Sequence, residues 1–347
     1  MKRFIAIMLV TVFVLSACGQ ERQGNEEVQE IVITGGDNLS DLYDGEEENK
    51  ETSCGNFGFG INMDLLKEQP GEGELITFDY DQEVKVPYHV ENLDESVEAE
   101  FGILAFTDGI VQPYRIEDEN GNILKSEAYM QKFHLKIDEK QNFYIVFSPV
   151  SGKKGEKVGF ITASILKPDF MAKGKDTNYG VYYALSATIP QQITISEHIK
   201  NSYISEKSSK NVDIPEDVLG EIESSLAGET IEEYLGNSFQ CKIESEAQEK
   251  FVAVEEGIAK IHFYCLGGPE VLKRLTIFIN NQPVKINGAD FLEFRTETGK
   301  MTEADLEIST DGLELSDYNT MYGVVMTGGE DYTLADIEAT APIVLVN

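Results

Sequence analysis

Short segments with apolar residues at every second position recur along the chain and constrain its fold more than any other feature. In residues 84–90, apolar side chains alternate with Lys85, Pro87 and His89. Such alternation predicts a β-strand with one buried face, and Pro87 favours a sheet edge or a bulge. Further segments of this kind lie at 101–106, 114–116, 122–124, 133–137, 143–147, 157–166, 179–188 and 192–195. Between 114–116 and 122–124, the dipeptide Asn120-Gly121 is a hairpin turn signal. The regular spacing of all these segments predicts an antiparallel β-sandwich.

The same pattern returns near the C-terminus as a weak internal repeat. Residues 84–90 align with 259–265, an offset of 259 − 84 = 175, and residues 178–181 align with 321–324, an offset of 321 − 178 = 143. The second copy would therefore be shorter by about 32 residues, the difference between the two offsets. Chance alternation is the alternative, because the aligned identities are few.

Residues 199–236 lack this alternation. Pro215 and the acids after it are typical of a helix N-terminus, and Val218, Leu219, Ile222 and Leu226 follow at helical spacing. We therefore predict a linker with one or two short helices. It would join a first sandwich domain at 69–198 to a second at 237–347.

The two predicted sandwiches resemble immunoglobulin-like or fibronectin type III-like domains. Residues 176–182 (Asp-Thr-Asn-Tyr-Gly-Val-Tyr) are similar to the acid-then-Tyr stretch that opens the sixth strand in those domains. The chain departs from antibody-type domains because it has no Trp, and the position near Val324 that would hold a partner for Cys265 has no cysteine. The resemblance implies a mainly β fold of two tandem antiparallel sandwiches.

The N-terminus carries an export signal. Lys2 and Arg3 precede an uncharged apolar run, residues 4–15, which at about 12 residues is too short to span a bilayer as a helix. The sequence Leu-Ser-Ala-Cys that ends at Cys18 then resembles the lipobox of bacterial lipoproteins. The resemblance implies removal of a signal peptide, residues 1–17, a diacylglycerol on Cys18 and attachment to the outer face of the cell membrane. A plain secreted protein is the alternative.

Residues 18–68 are predicted to form an acidic tether behind this anchor. Residues 44–51 are mostly charged and have little apolar surface to bury, so they cannot offset the entropy of ordering. We expect only a short strand at 31–33 and a helical turn at 62–68. The tether would hold the folded part clear of the membrane.

The charge balance limits the partners. The chain has 28 basic and 62 acidic residues, and the signal peptide removes two of the basic ones, which leaves 26 − 62 = −36. Such a surface repels nucleic acid and favours solubility and basic partners, although a solvated acidic surface alone accounts for it. With Cys18 assigned to lipid, only Cys54, Cys241 and Cys265 remain, too few for a disulfide framework.

One disulfide is a candidate. Cys241 and Cys265 each share the apolar face of a predicted strand, and adjacent antiparallel strands place such residues within bonding reach. Two free, buried thiols are an equally good interpretation. Cys54 has no evident partner.

No catalytic or metal-binding pattern stands out. The four histidines (His89, His134, His198 and His262) lie singly, without the spacing that zinc requires. Ser151-Gly152-Lys153-Lys154 matches the SxxK of penicillin-recognising enzymes, but its companion motifs SDN and KTG are missing, and its glycines predict a loop. Residues 118–122 place their glycine too early for an EF-hand, so at most weak calcium binding is expected.

These observations predict a non-enzymatic surface protein that needs no cofactor. Its role would be to bind a partner or to act as a spacer, and a protein partner is favoured over a glycan. The 15 tyrosines keep carbohydrate binding open, although the missing Trp makes it less favoured and packing is the default explanation for most of these tyrosines. A solute-binding lipoprotein of a transporter is the main alternative, but it would need long amphipathic helices that this sequence lacks. An envelope enzyme with an unrecognised site is the third.

Overall fold

The computed structural model describes residues 56–66, 69–71, 74–80, 82–199, 203–226, 230–237, 239–247, 249–334 and 337–347. This part of the chain is mainly β, with two short α-helices, α1 (Glu216–Ser225) and α2 (Ile231–Asn237). The predicted fold class, a mainly β chain of sandwiched sheets, is confirmed. None of these helices is long and apolar enough to cross a bilayer.

The first sandwich consists of two sheets. Its strands are β1 (Phe57–Ile61), β2 (Thr77–Tyr80), β3 (Val84–Asn92), β4 (Ala99–Thr107), β5 (Ile110–Gln112), β6 (Tyr114–Glu117), β7 (Ile123–Ala128), β8 (Met130–Leu135), β9 (Lys140–Phe147), β10 (Lys157–Leu166), β11 (Leu185–Ala187) and β12 (Gln191–Ile195). Sheet 1 has the order β1-β3-β9-β6-β7. Sheet 2 has the order β2-β12-β10-β4-β5, with β8 beside β4 and β11 beside β10.

The second sandwich follows the same plan. Its strands are β13 (Ser205–Glu206), β14 (Lys210–Asp213), β15 (Phe239–Ser245), β16 (Phe251–Glu255), β17 (Ile258–Gly267), β18 (Leu272–Ile279), β19 (Gln282–Val284), β20 (Phe291–Arg295), β21 (Lys300–Ser309), β22 (Tyr318–Thr327), β23 (Ile337–Ala339) and β24 (Ile343–Val346). Sheet 3 has the order β13-β20-β18-β22-β24-β16, with β19 and β23 alongside, and sheet 4 contains β15, β17, β21 and β14. Strand β16 also pairs with β17, which joins sheet 3 to sheet 4. Most ladders are antiparallel, but three are parallel: β2 with β12, β13 with β20, and β16 with β24.

The four sheets stack in numerical order around three apolar layers. Sheets 1 and 2 enclose the first core, and sheets 3 and 4 enclose another. Between them, sheets 2 and 3 bury a third layer, which we call the seam. The seam is formed by Leu104, Phe106, Ile161, Ala163 and Ile165 from sheet 2, and by Phe278, Tyr322, Val324, Met326 and Val344 from sheet 3. Strands β4, β10, β18 and β22 are therefore buried on both faces.

The internal repeat is real at the level of topology. Strands β1–β5 correspond to β15–β19, and β8–β12 correspond to β20–β24. The pairings among these strands are the same in each copy, except that β16 also pairs with β17 in the second. The register keeps the predicted offset of 175 for β3 and β17. For β10 and β22, the common pairing to β4 and β18 gives 321 − 160 = 161 rather than 143. The aligned segment 178–181 is an irregular loop, so its alignment with 321–324 was wrong.

The extra residues of the first copy form the β6–β7 hairpin. The offset is 172 at the β4–β5 turn, where Thr107 corresponds to Ile279, and 161 at β8, where Met130 corresponds to Phe291. The difference of 172 − 161 = 11 residues falls between β5 and β8, where this hairpin lies. The Asn120-Gly121 turn signal correctly predicted it.

Two predicted boundaries need correction. Residues 57–61, inside the predicted tether of residues 18–68, belong to the first sandwich, because Phe57 and Phe59 are buried and β1 pairs with β3. The segment 199–236 is not a spacer between the sandwiches. It supplies β13 and β14 to sheets 3 and 4, and its helices pack on the outer face of sheet 4 through Ile222 and Leu235 against Met301.

Candidate functional site

The anchor residue Cys18 lies outside the described residues, as does Cys54. The other predicted cysteines do come together. Cys241 on β15 lies directly opposite Cys265 on β17 in the antiparallel register, and both thiols are free. The structure thus places the two residues as a disulfide would require, and whether the bond forms stays a prediction.

The histidines lie apart. His89 is buried in β3, His134 contacts Glu98 and Glu100 on the surface, and His262 contacts Asp305 and Glu303. Across the described ranges, no three His, Cys, Asp or Glu side chains cluster as a metal ion would need. His198 is exposed at the end of the first sandwich.

The other candidate motifs have structural explanations. Residues 151–154 lie in a loop, as predicted, with Ser151 buried and Lys154 exposed. In the acidic turn, Asp118 accepts hydrogen bonds from the backbone N–H groups of Asn120 and Asn122, at 2.9 and 2.8 Å. Its second oxygen accepts the Asn122 side-chain amide at 2.7 Å. These bonds lower the pKa of Asp118 and use both of its oxygens within the turn.

Among the strands described, β7 of the inserted β6–β7 hairpin is the one that exposes large apolar side chains. Ile123 and Leu124 are 62% and 58% exposed. Strand β7 ends sheet 1 and pairs only with β6, through an irregular register. Its other edge pairs with no described strand, although the Ser126 carbonyl accepts a hydrogen bond from Gln131. An unpaired edge beside apolar side chains is the template that an added strand uses.

A slot of about 320 Å³ opens beside this edge. Leu124 and Ile116 line it from sheet 1, and Phe133 and Phe143 form its floor, stacked at 5.4 Å between ring centroids. Lys125 places its ammonium 4.1 Å from the centre of the Phe133 ring, and burial lowers the pKa of this lysine. We call the free edge of β7 together with this slot the β7 site.

A second surface lies at one end of the seam, on the loop of residues 167–184. A chain of ring contacts leads inward from its surface, from Phe170 to Tyr179, Tyr183 and Tyr322, with centroids 5.1–5.8 Å apart. Half-buried Tyr182 lies 4.2 Å from Phe170 at the outer end. This loop occupies most of the segment 179–188 that was predicted to be a strand. Only residues 185–187 of that segment form one, β11.

This loop is locally basic on a strongly acidic protein. Lys167, Lys173 and Lys175 lie over the rings of Tyr182, Phe170 and Phe251, at 5.8, 6.0 and 4.0 Å. Its two acids, Asp169 and Asp176, pair with Lys132 and Lys250 from outside the loop. Among the residues that the structure describes, no carboxylate pairs with the loop's own lysines. The loop therefore presents positive charge beside aromatic rings.

Two hairpin turns also hold the two sandwiches together, one of them through the loop of residues 167–184. The two-residue turns Asp108-Gly109 and Asn280-Asn281 occupy equivalent positions of the repeat and all have positive φ. Asp108 accepts a hydrogen bond from the backbone N–H of Gly329 at 2.6 Å, and Asn281 donates one to the carbonyl of Pro168 at 2.7 Å. Each turn thus contacts the other sandwich, so the seam is approximately two-fold.

No family model matches the chain, and no curated protein does. Three solved structures are similar to it at a low level. A Porphyromonas gingivalis W83 protein of unknown function is 9% identical with TM-score 0.20, over 79% of this chain and 96% of its own. The Salmonella enterica SafA pilin with the SafB chaperone is 8% identical with TM-score 0.19, over 85% and 98%. CBD12 from CALX1.2 is 9% identical with TM-score 0.15, over 75% and 81%. None of these likenesses carries a functional statement.

Proposed function

We propose that this chain is a lipid-anchored protein on the outer face of the cell membrane that binds a protein partner through the β7 site. The observation that carries the proposal is an inserted edge strand, dispensable to the sandwich plan, that exposes Ile123 and Leu124 beside an apolar slot. The second copy of the fold lacks this hairpin, so its exposure is not demanded by folding. An unpaired strand edge binds an extended polypeptide through main-chain hydrogen bonds, which a glycan cannot form in the same pattern.

The seam supports a rigid presentation of this site. An apolar layer shared by sheets 2 and 3 resists relative movement of the sandwiches far better than a flexible linker would. The two helices described here are short and lie on one outer face, which disfavours the strand–helix–strand lobes of a solute-binding lipoprotein.

The partner test uses a library of extended nine-residue peptides selected on the full-length protein in detergent. We expect the selected peptides to bind at least tenfold more weakly to Ile123→Lys. They should bind normally to Ile204→Lys, a matched control at the same 62% exposure. Equal binding to both variants, or no binder at all, would overturn the β7 site.

A second candidate function rests on the basic aromatic loop at the seam, which favours an anionic glycan. Tyr182→Ala and Lys173→Glu should abolish glycan binding there and leave peptide binding at β7 unchanged. A screen of acidic glycans that found no ligand sensitive to these changes would remove this candidate.

The anchor has its own test. Cys18→Ala should accumulate as unprocessed precursor or as released protein, since the thiol that accepts the lipid is lost. Labelling with a radioactive fatty acid reports the lipid directly. A variant that stayed membrane-bound and correctly cleaved would show that Cys18 is not the anchor.

A further inference from the structure

The thiol pair of the second sandwich has a specific environment. Cys241 and Cys265 lie opposite each other on the face of sheet 4 that packs against sheet 3. Directly opposed residues in antiparallel strands have Cβ atoms about 4.5–5.5 Å apart, close to the roughly 3.5–4.5 Å that a disulfide needs. The Cys265 thiol is close enough to that of Cys241 to raise its pKa.

The repeat shows that packing does not require cysteine here. Strand β1 corresponds to β15 and β3 to β17, and the matching register pair in the first sandwich is Phe59 with Val90. That pair fills the same place between two sheets with apolar side chains alone. The thiols therefore add a chemical property that the fold does not need.

Charged groups face this pair from the opposite sheet. Lys273 on β18 is fully buried, with its ammonium 4.1 Å from the centre of the Phe239 ring and 3.5 Å from the Thr327 hydroxyl. Half-buried Glu338 on β23 is near enough to act on Cys241. Burial, the Cys265 hydrogen bond and Glu338 raise the pKa of Cys241, and Lys273 opposes them.

The two thiols also differ in access. Cys241 is partly exposed on β15, a strand that pairs only with β17, whereas Cys265 is 1% exposed in the middle of its sheet. Cys241 is therefore the more accessible residue of the pair.

We propose that Cys241 and Cys265 form a thiol–disulfide exchange site. An external disulfide reacts at Cys241 and is reduced, and the pair is oxidised to a Cys241–Cys265 disulfide. The Cys241 thiol loses its proton and attacks the external disulfide, so one external sulfur leaves as a thiolate and takes up a proton. Cys265 then loses its proton and attacks the Cys241 sulfur of the mixed disulfide, which expels the second external thiol. Two protein thiols become one disulfide, and one external disulfide is reduced to two thiols.

The bridge would fix the edge strand β15 to the sheet. It closes a loop of 265 − 241 = 24 residues, and by chain entropy it should shift the unfolding equilibrium roughly a hundredfold toward the native state. Because burial disfavours the thiolate, we expect the first attack to be slow at neutral pH and to accelerate as pH rises.

The test uses the reduced full-length protein carrying Cys54→Ser, incubated with oxidised glutathione and analysed by alkylation and peptide mass spectrometry. We expect both cysteines to lose alkylation together, the peptides containing them to become linked, and dithiothreitol to reverse the change. The proposal would be overturned by a glutathione adduct that persists on Cys241 without a bond to Cys265, or by no reaction of the folded protein under native conditions.

Single variants test the order of attack. In Cys265→Ser the glutathione adduct should accumulate on Cys241, and in Cys241→Ser the remaining Cys265 should stay unmodified. If Cys241→Ser reacted at Cys265 as fast as the wild-type pair, Cys241 would not be the point of attack. Circular dichroism of each variant keeps an unfolded protein from being mistaken for a reactive one.

Discussion

Arg274 of the second sandwich forms an ion pair with the carboxylate of Asp108 in the first, at 2.9 Å, although the Arg274 side chain is only 8% exposed. The same guanidinium bonds Glu293 at 3.1 Å, and that carboxylate also pairs with Lys207. Nearby acids offset the burial of Arg274 and raise its pKa, so the group stays charged. This network closes one end of the seam, and the loop of residues 167–184 closes the other.

Replacing Arg274 with Ala should destabilise the whole stack. The change leaves Asp108 and Glu293 at the seam without their buried counter-charge, which costs about 3 kcal/mol in comparable pairs. Urea unfolding monitored by circular dichroism measures the loss. Lys250→Ala is the matched control, since its pair with Asp176 is about 85% exposed on both sides and should contribute almost nothing. Equal effects of the two changes would contradict this role of Arg274.

Gly159→Ala tests the contact between β10 and the 3-10 helix at Gly329–Leu334. A Cβ at Gly159 would lie 2.5 Å from the ring of Tyr332, so the ring would have to move. We expect a loss of about 1–3 kcal/mol, as in other overpacked cores. Gly60→Ala, in β1, meets nothing within 4 Å and should change stability little. A neutral Gly159→Ala would show that Tyr332 does not pack there in solution.

Part of this architecture was readable from the sequence. Alternation at 84–90 predicted β3, and its repeat at 259–265 predicted β17, because each of these strands lies in an outer sheet with one face toward a core. The Asn-Gly signal at Gly121 likewise predicted the β6–β7 hairpin. The thiol pair also followed from which residues share a strand face.

A search for alternating segments does not detect the seam, which is indicated instead by nearly continuous apolar runs. Residues 101–106 and 321–326 are almost continuously apolar, which is typical of strands buried on both faces. The Asp108-Gly109 turn was another strong hairpin signal. That Ile123 and Leu124 are exposed could not be inferred, because apolar residues in a short strand predict burial and only the sheet order leaves β7 at the edge.

Glu338 should make stability depend on pH. Burial raises the pKa of its carboxyl from 4.5 to about 7, so the native state holds a proton that the unfolded chain releases. The folded protein therefore loses stability as pH rises from about 4.5 to 7, by at most about 3 kcal/mol and less because the group is only partly buried. Glu338→Gln should gain stability at pH 8 and gain none at pH 4.5, measured by urea unfolding. A variant less stable at pH 8 would mean that the carboxylate is held as an ion pair, with Lys273 as the nearby cation.

His134 should titrate with the opposite sign. The Glu98 hydrogen bond at 2.6 Å, together with Glu100 at 3.1 Å, raises the pKa of this imidazole above its ordinary 6.5. Its ion pairs stabilise the fold below pH 6.5, and that contribution is lost as pH rises through the raised pKa of the folded state. Since the side chain is 54% exposed, we expect a clear NMR shift and only a small change in stability. The double variant Glu98→Gln, Glu100→Gln should bring the NMR titration midpoint back toward 6.5. An unchanged midpoint would mean that neither carboxylate contacts His134 in solution.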